Sequence, residues 1–146
     1  SDGLTLYFAS SRPSGHGGTD IWSCQRKSLS SPFGEPENLG PLVNSKDHEN
    51  RFIPLADDRA ALLWRGTKGN ESIWLVTKKQ GESAFVRMQP FPFVEAEHAH
   101  ALTISSDGQT VIYQSRRNGG QGEDDLWLVH RVEATHETHQ QLVSPP

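Results

Sequence analysis

Short apolar runs, each preceded by an acidic turn, recur three times along the chain. In the first run Leu4, Leu6 and Phe8 point to one face of an extended strand, while Tyr7 and Ala9 point to the other. Apolar side chains on both faces predict a strand that is covered on both sides. The same character marks the other two runs, at residues 61–64 and 111–113.

A tryptophan strand follows each apolar run, centred on Trp22, Trp74 and Trp127. Asp2 in the first turn recurs at Asp107, and Trp22 recurs at Trp127, an offset of 105 positions in both cases. Two repeats of about 50 residues therefore separate these copies. A period of that size indicates a repeat architecture in which each unit buries its apolar faces against its neighbours.

Two further strands per unit are predicted between the tryptophan strands. An outer strand lies within residues 36–44, and an innermost strand precedes each following turn, at residues 51–55 and 99–104. Thirteen glycines and nine prolines also favour short strands and turns over helices. This count predicts about eleven strands, the last of them near residues 141–143.

Composition limits the classes of function. A net charge of −4, with lysines and arginines scattered along the chain, argues against a nucleic-acid binder. No segment approaches the length of a membrane-spanning helix. Cys24 is the only cysteine, so a disulfide within the chain is excluded. With 34% hydrophobic residues in 146, the core is modest, and we interpret the chain as part of a larger assembly.

The first copy carries a more specific pattern. Residues 6–13, then Gly15, Gly17-Gly18, Asp20-Ile21-Trp22 and the later string Pro-Glu-Asn-Leu-Gly-Pro-Leu-Val-Asn at 36–44 together resemble the WD40-like β-propeller repeat of the TolB type. This resemblance implies a ring of four-stranded blades around a central channel. It also implies binding of proteins, peptidoglycan-associated partners or saccharides, and it favours a periplasmic or extracellular location.

We therefore predict an all-β fold, a partial β-propeller of about three four-stranded antiparallel blades. The blades are expected at about residues 1–48, 49–96 and 97–146 of a single propeller segment, and the first blade lacks its innermost strand. The expected partners include the remaining blades of a longer parent chain or a second copy of this chain.

In that ring, the loops that enter the innermost strands would form one rim of the channel. The candidate ligand-binding residues at this rim are His16, Glu49, Arg51, His98 and His100. We predict that they contact a protein or a saccharide and that the segment is not catalytic. The alternatives are a propeller-fold hydrolase or lyase that depends on Glu49 or His98, and a sensor domain appended to a kinase or membrane protein.

Other recurrent residues are interpreted as structural. Arg12 precedes Asp20 by eight positions, as Arg117 precedes Asp125, and every blade needs its glycine-rich loop closed by an ion pair or a loop-capping hydrogen bond. The repeated tryptophans favour packing between blades over a sugar-stacking platform. His98 and His100 would leave one face of a strand, but no third ligand is placed near them, so neither a metal site nor a cofactor is predicted.

Overall fold

The computed structural model describes residues 2–55, 58–67, 70–91, 101–105, 109–116 and 118–130. These residues form ten β-strands and no helix. The strands are β1 (Thr5–Ser10), β2 (Asp20–Gln25), β3 (Glu37–Asn38), β4 (Glu49–Pro54), β5 (Ala60–Thr67), β6 (Asn70–Lys78), β7 (Phe85–Pro90), β8 (Ala101–Ile104), β9 (Thr110–Ser115) and β10 (Asp125–His130). The strand predicted near residues 141–143 lies outside the described residues.

The strands form three antiparallel sheets in chain order. Sheet 1 has the order β1-β2-β3, sheet 2 has the order β4-β5-β6-β7, and sheet 3 has the order β8-β9-β10. The register repeats as well, because each tryptophan of the repeat pairs with the same position of its neighbouring strand. These pairs are Phe8 with Trp22, Leu63 with Trp74 and Tyr113 with Trp127.

The chain divides into two compact units, Ser1–Phe91 and Pro92–Pro146. Unit 1 contains sheets 1 and 2, which pack face to face around Ile21 and Val43 on one side and Ala61, Leu63 and Val76 on the other. β5 is buried on both faces, since Leu62 and Trp64 are covered as well as Ala61 and Leu63. The described core of unit 2 consists of Leu102, Val111, Tyr113 and Trp127.

The turns that precede β1 and β5 differ in conformation because their residues differ. In the first copy Gly3 has a φ of 71°, and the Leu4 amide donates to the Asp2 carboxylate at 2.9 Å. The second copy has no glycine here, and Asp58 itself takes a positive φ of 54°. Aspartate tolerates this conformation better than most residues, but at some cost in strain.

Candidate functional site

The glycine-rich loop between β1 and β2 is closed by Asp20. The amides of His16 and Gly17 donate to its carboxylate at 2.5 and 3.1 Å, and the Asp20 side chain is buried. A Cβ atom at Gly15 would lie 2.7 Å from an Asp20 oxygen, so this position has no room for a side chain. Asp20 therefore closes the loop by accepting hydrogen bonds from its backbone amides, and not through an ion pair.

The expected partner of Asp20, Arg12, is occupied elsewhere. Its guanidinium lies over the rings of Phe8 and Trp22, 4.8 and 5.0 Å from their centroids, and its Nε donates to Ser10 at 3.2 Å. An ion pair between Arg12 and Asp20 is thus not formed, because the guanidinium instead stacks on the aromatic face of sheet 1.

Sheet 3 shows the same kind of loop closure. The Gly122 amide donates to the Asp125 carboxylate at 3.1 Å. Arg117, the predicted partner of Asp125, lies outside the described residues. The preceding arginine, Arg116, forms an ion pair with Asp124 at 3.0 Å.

Two asparagines connect this loop to the segment that leads into sheet 2. Asn38 donates to Asp20 at 2.7 Å. Asn44 is buried and uses its amide group as a strand would, accepting from the Ile21 amide at 2.7 Å and donating to the Ile21 carbonyl at 2.9 Å. Both asparagines belong to the 36–44 string, and their spacing within it is the one sequence signal of this role.

The glycine-rich loop also packs on residues 45–48. The Gly18 amide donates to the Asp47 carbonyl at 2.9 Å, and the Glu49 amide donates to the Thr19 carbonyl at 2.7 Å. A Cβ atom at Gly17 would lie 2.2 Å from the Ser45 carbonyl oxygen, which makes glycine necessary at this close approach. The loop of sheet 1 and the entry into sheet 2 therefore form one fixed surface.

Exposed polar side chains cover this end of unit 1. They belong to the loop, to residues 42–48, which lead into sheet 2 and which we call the entry segment, and to the start of β4. We call them the rim surface: His16, Lys46, Asp47, Asn50 and Arg51. Asn50 donates to the Gly66 carbonyl at 3.3 Å and to Glu71 at 3.1 Å. Arg51 lies over the ring of the buried Trp64, with 5.4 Å between the guanidinium carbon and the centroid.

Glu49 does not belong to this surface, contrary to the expectation from the sequence. Its side chain is 0% exposed and accepts hydrogen bonds from Arg65 at 2.8 Å and from the Ser45 hydroxyl at 2.7 Å. Arg65 also donates to the Val43 carbonyl at 2.9 Å. The carboxylate is thus enclosed and fully used in joining sheet 2 to the entry segment, and it has no access to a ligand.

The remaining predicted residues are only partly placed. His98 and His100 lie outside the described residues. Trp22 and Trp127 are buried, and Trp74 is partly buried beside the core of unit 1. These rings do not offer an open stacking face. In the described ranges, no group of three or more histidine, cysteine or acidic side chains is arranged to hold a metal ion.

The comparisons with known proteins support the fold. No protein-family model matches the sequence, and no curated protein matches it. The structure is similar to the crystal structure of TolB from Acinetobacter baumannii, with a TM-score of 0.53 and 12% sequence identity over 88% of this chain. The chain spans 28% of the length of that protein.

The fold is accordingly all-β and TolB-like, a β-propeller fragment built of antiparallel sheets of three or four strands. This confirms the fold class expected from the repeat. At 12% identity the similarity concerns the fold alone. The described part of the chain also has no helix of the length and apolarity that a membrane span requires.

Proposed function

We propose that this chain is a non-catalytic portion of a β-propeller scaffold and that its rim surface binds a protein. The observation that carries the proposal is the locked glycine-rich loop. Asp20 and Asn44 are buried, Asn38 is partly buried, and their side chains form one hydrogen-bond network. This network fixes a loop whose outward side chain, that of His16, has no role in it. Rigid elements that present fixed polar loops are the usual construction of a recognition surface.

The character of the rim surface favours a protein over a saccharide. It combines cationic, anionic and amide groups at Lys46, Asp47, Asn50 and Arg51, which suits the mixed polar surface of a protein partner. A sugar platform would need an exposed aromatic face, but Arg51 covers the ring of Trp64 and the Trp64 side chain is buried. The enclosed carboxylate of Glu49 likewise supports a binding role over hydrolysis.

Site-specific photo-crosslinking in the cell that makes the protein tests this proposal. A photoreactive amino acid is placed at position 16 or 51, and the matched control carries it at Leu29, an exposed residue beyond the opposite end of β2. We expect discrete protein adducts of the same mass increment from positions 16 and 51 and none from position 29.

A further variant distinguishes adducts that form in a specific complex from adducts that form by random encounter. Lys46→Glu, made in the chain that carries the crosslinker at position 16, should weaken the adduct because it reverses one charge of the rim surface without disturbing the buried network. Adducts that form equally from position 29 would contradict the proposal. Binding to an oligosaccharide array with no protein adduct would assign the rim surface to saccharides instead.

A further inference from the structure

The pairing between β4 and β5 is irregular at Asn50. Glu49 lies opposite Arg65 and Arg51 lies opposite Trp64, so three residues of β4 face two consecutive residues of β5. This arrangement is a β-bulge, which bends a strand and redirects the side chains beside it.

The bulge separates the charges of Glu49 and Arg51. In a regular strand residues 49 and 51 would share one face, where their opposite charges attract. Trp64 and Arg65 are neighbours in β5 and leave opposite faces of sheet 2, so their partners Arg51 and Glu49 do so as well. Glu49 is enclosed with Arg65, whereas Arg51 lies over the ring of Trp64. Glu49 therefore leaves the charge of Arg51 uncompensated.

The pair formed by Arg51 and Trp64 is specific to sheet 2. Ala9 and Gln114 stand at the register positions of sheets 1 and 3 that are equivalent to Trp64. In β8 the position equivalent to Arg51 holds Ala101. The indole N–H of Trp64 is buried and has no hydrogen-bond partner in the described part of the chain. Because a buried donor without a partner costs free energy, packing alone does not favour a tryptophan here.

The exposed guanidinium of Arg51 is held by its flat face. The ring of Trp64 takes that face, and among the described residues no side chain or carbonyl accepts a hydrogen bond from the N–H edge. The neighbouring Asn50 is occupied, since it donates to the Gly66 carbonyl and to Glu71. An arginine stacked on a ring presents its planar N–H fork in a fixed orientation, which lowers the entropy cost of binding a planar anion.

We propose that Arg51 recognises a carboxylate of the protein partner, carried by an aspartate, a glutamate or a chain terminus. The N–H fork of Arg51 donates to both carboxylate oxygens, and Trp64 is the positioning residue beneath it. The inference rests on the proposed function, because it names the group that the partner presents to the rim surface.

The charges around Arg51 favour a carboxylate over a phosphate. Sites for phosphorylated segments are built from clusters of arginines, whereas the rim surface offers one stacked guanidinium. Asp47 belongs to the same surface, and Glu71 lies beside Asn50. These carboxylates repel a doubly charged phosphate more strongly than a singly charged carboxylate.

A nuclear magnetic resonance titration of the wild-type chain tests the arginine directly. The probe is sodium acetate, compared with sodium chloride at equal ionic strength, and the signal is the side-chain Nε–H resonance. Arg87, an exposed arginine of β7, is the control within the same spectrum. We expect a saturable acetate shift at Arg51 and none at Arg87.

Crosslinking tests whether the partner uses this arginine. The variants are made in the chain with the photoreactive residue at position 16, because at position 51 that residue replaces the arginine itself. We expect Arg51→Gln to reduce the adduct about tenfold through loss of the two charge-assisted hydrogen bonds. Arg51→Lys, which keeps the charge but not the fork, should reduce it less. Lys46→Gln, which removes an equal charge from the rim surface, should also reduce it less than Arg51→Gln.

A second substitution, in the partner, tests the carboxylate itself. Mass spectrometry of the adduct from position 16 identifies the partner segment, and each acidic residue of that segment is replaced by its amide. We expect one replacement to reduce the adduct as much as Arg51→Gln does. The two changes together should reduce it no further, because they remove the same contact.

The failures of the two proposals are distinguishable. If position 16 gives no protein adduct, the protein-binding proposal fails and this inference fails with it. If the adduct forms and Arg51→Gln leaves it unchanged, or reduces it only as much as Lys46→Gln, this inference alone fails. Equal acetate shifts at Arg51 and Arg87 would also overturn it. Saturation of Arg51 by inorganic phosphate at lower concentration than by acetate would assign the site to a phosphorylated group instead.

Discussion

The carboxylate of Glu49 is removed from water and paired with Arg65, whose side chain is 16% exposed. We expect Glu49→Ala to lower the free energy of unfolding by about 3 kcal/mol, because it leaves a largely buried guanidinium without its counter-charge. Replacing both residues, Glu49→Leu with Arg65→Met, should restore part of the loss. Urea unfolding followed by tryptophan fluorescence measures both effects.

The control for this pair is Glu82→Ala. Glu82 forms an exposed ion pair with Lys79 at 3.7 Å, and exposed pairs contribute little to stability. A loss for Glu49→Ala as small as that of the control would mean that the buried pair does not hold the entry segment in place.

Among the described residues Asp20 has no cationic partner, because its carboxylate is bound by backbone amides and an asparagine. Asp20→Ala should lower the free energy of unfolding by about 1–3 kcal/mol through the loss of buried polar pairing. Asp47→Ala, at an exposed carboxylate nearby, should change it little. If Asp20→Ala left stability unchanged and abolished the crosslinks of the rim surface, Asp20 would be a ligand contact and not a loop cap.

Tyr7 should couple stability to alkaline pH. Partial burial, and secondarily the charge of Asp58, raise the pKa of its phenol above the ordinary tyrosine value of 10.0. A group with a raised folded-state pKa contributes stability below its unfolded pKa and loses that contribution as pH rises through the folded value. Wild-type stability should therefore fall more steeply above about pH 10 than that of Tyr7→Phe.

Urea midpoints at several alkaline pH values compare the two proteins, and ultraviolet absorbance titrates the phenol directly. Asp58→Asn should lower the phenol pKa relative to wild type because it removes the second cause. Identical pH profiles for wild type and Tyr7→Phe would show that Tyr7 ionises freely in the folded chain.

The roles of these residues differ in how far the sequence could predict them. Asp20 recurs with its glycine loop at Asp125, so its loop-closing role could be read from the repeat. The burial of Glu49 could not be read, because it depends on Arg65, 16 positions away, and on the register between β4 and β5. The polar neighbours Asn50 and Arg51 predict instead that Glu49 lies at the exposed end of a strand.

Among the secondary-structure elements, the outer strand of sheet 1 departs most from its prediction. The pattern at residues 36–44 indicated a strand, but β3 contains only Glu37–Asn38. The Leu39 amide still donates to the Ile21 carbonyl at 3.2 Å, but Gly40, with a φ of 79°, then turns the chain. The side-chain oxygen of Asn44 accepts from the Ile21 amide at 2.7 Å, in place of a backbone carbonyl of the strand. The alternation of apolar and polar residues along a strand cannot reveal that a side chain replaces a backbone hydrogen-bonding group of the sheet.

The glycine-rich loop provides a test of close packing between elements. Gly17→Ala should cost about 2 kcal/mol, because its Cβ would lie 2.2 Å from a backbone oxygen that belongs to another fixed segment. Gly34→Ala is the matched control, since its nearest neighbour would be 3.4 Å away. Thermal denaturation of the two variants measures the difference, and equal melting temperatures would show that residues 45–48 are free to move aside.

Repetition made the architecture more predictable than any one strand was. The offset between Trp22 and Trp127 set the register of two sheets that share little sequence, and the structure pairs both tryptophans in the same way. What each sheet packs against varies with its surroundings, however. Ile21 is fully buried under the entry segment, while its equivalent in sheet 3, Leu126, is 69% exposed.

This contrast predicts that the two units differ in stability. Unit 1 buries a large core between two sheets, whereas the described residues of unit 2 bury Leu102, Val111, Tyr113 and Trp127 and leave Leu126 exposed. Because opening free energy follows buried apolar contacts, amides of β9 should exchange with solvent through a smaller opening than amides of β5. Hydrogen exchange with mass spectrometry at increasing urea measures both strands in one sample. A common opening free energy and a common urea dependence for β5 and β9 would mean that the two units unfold as one cooperative body.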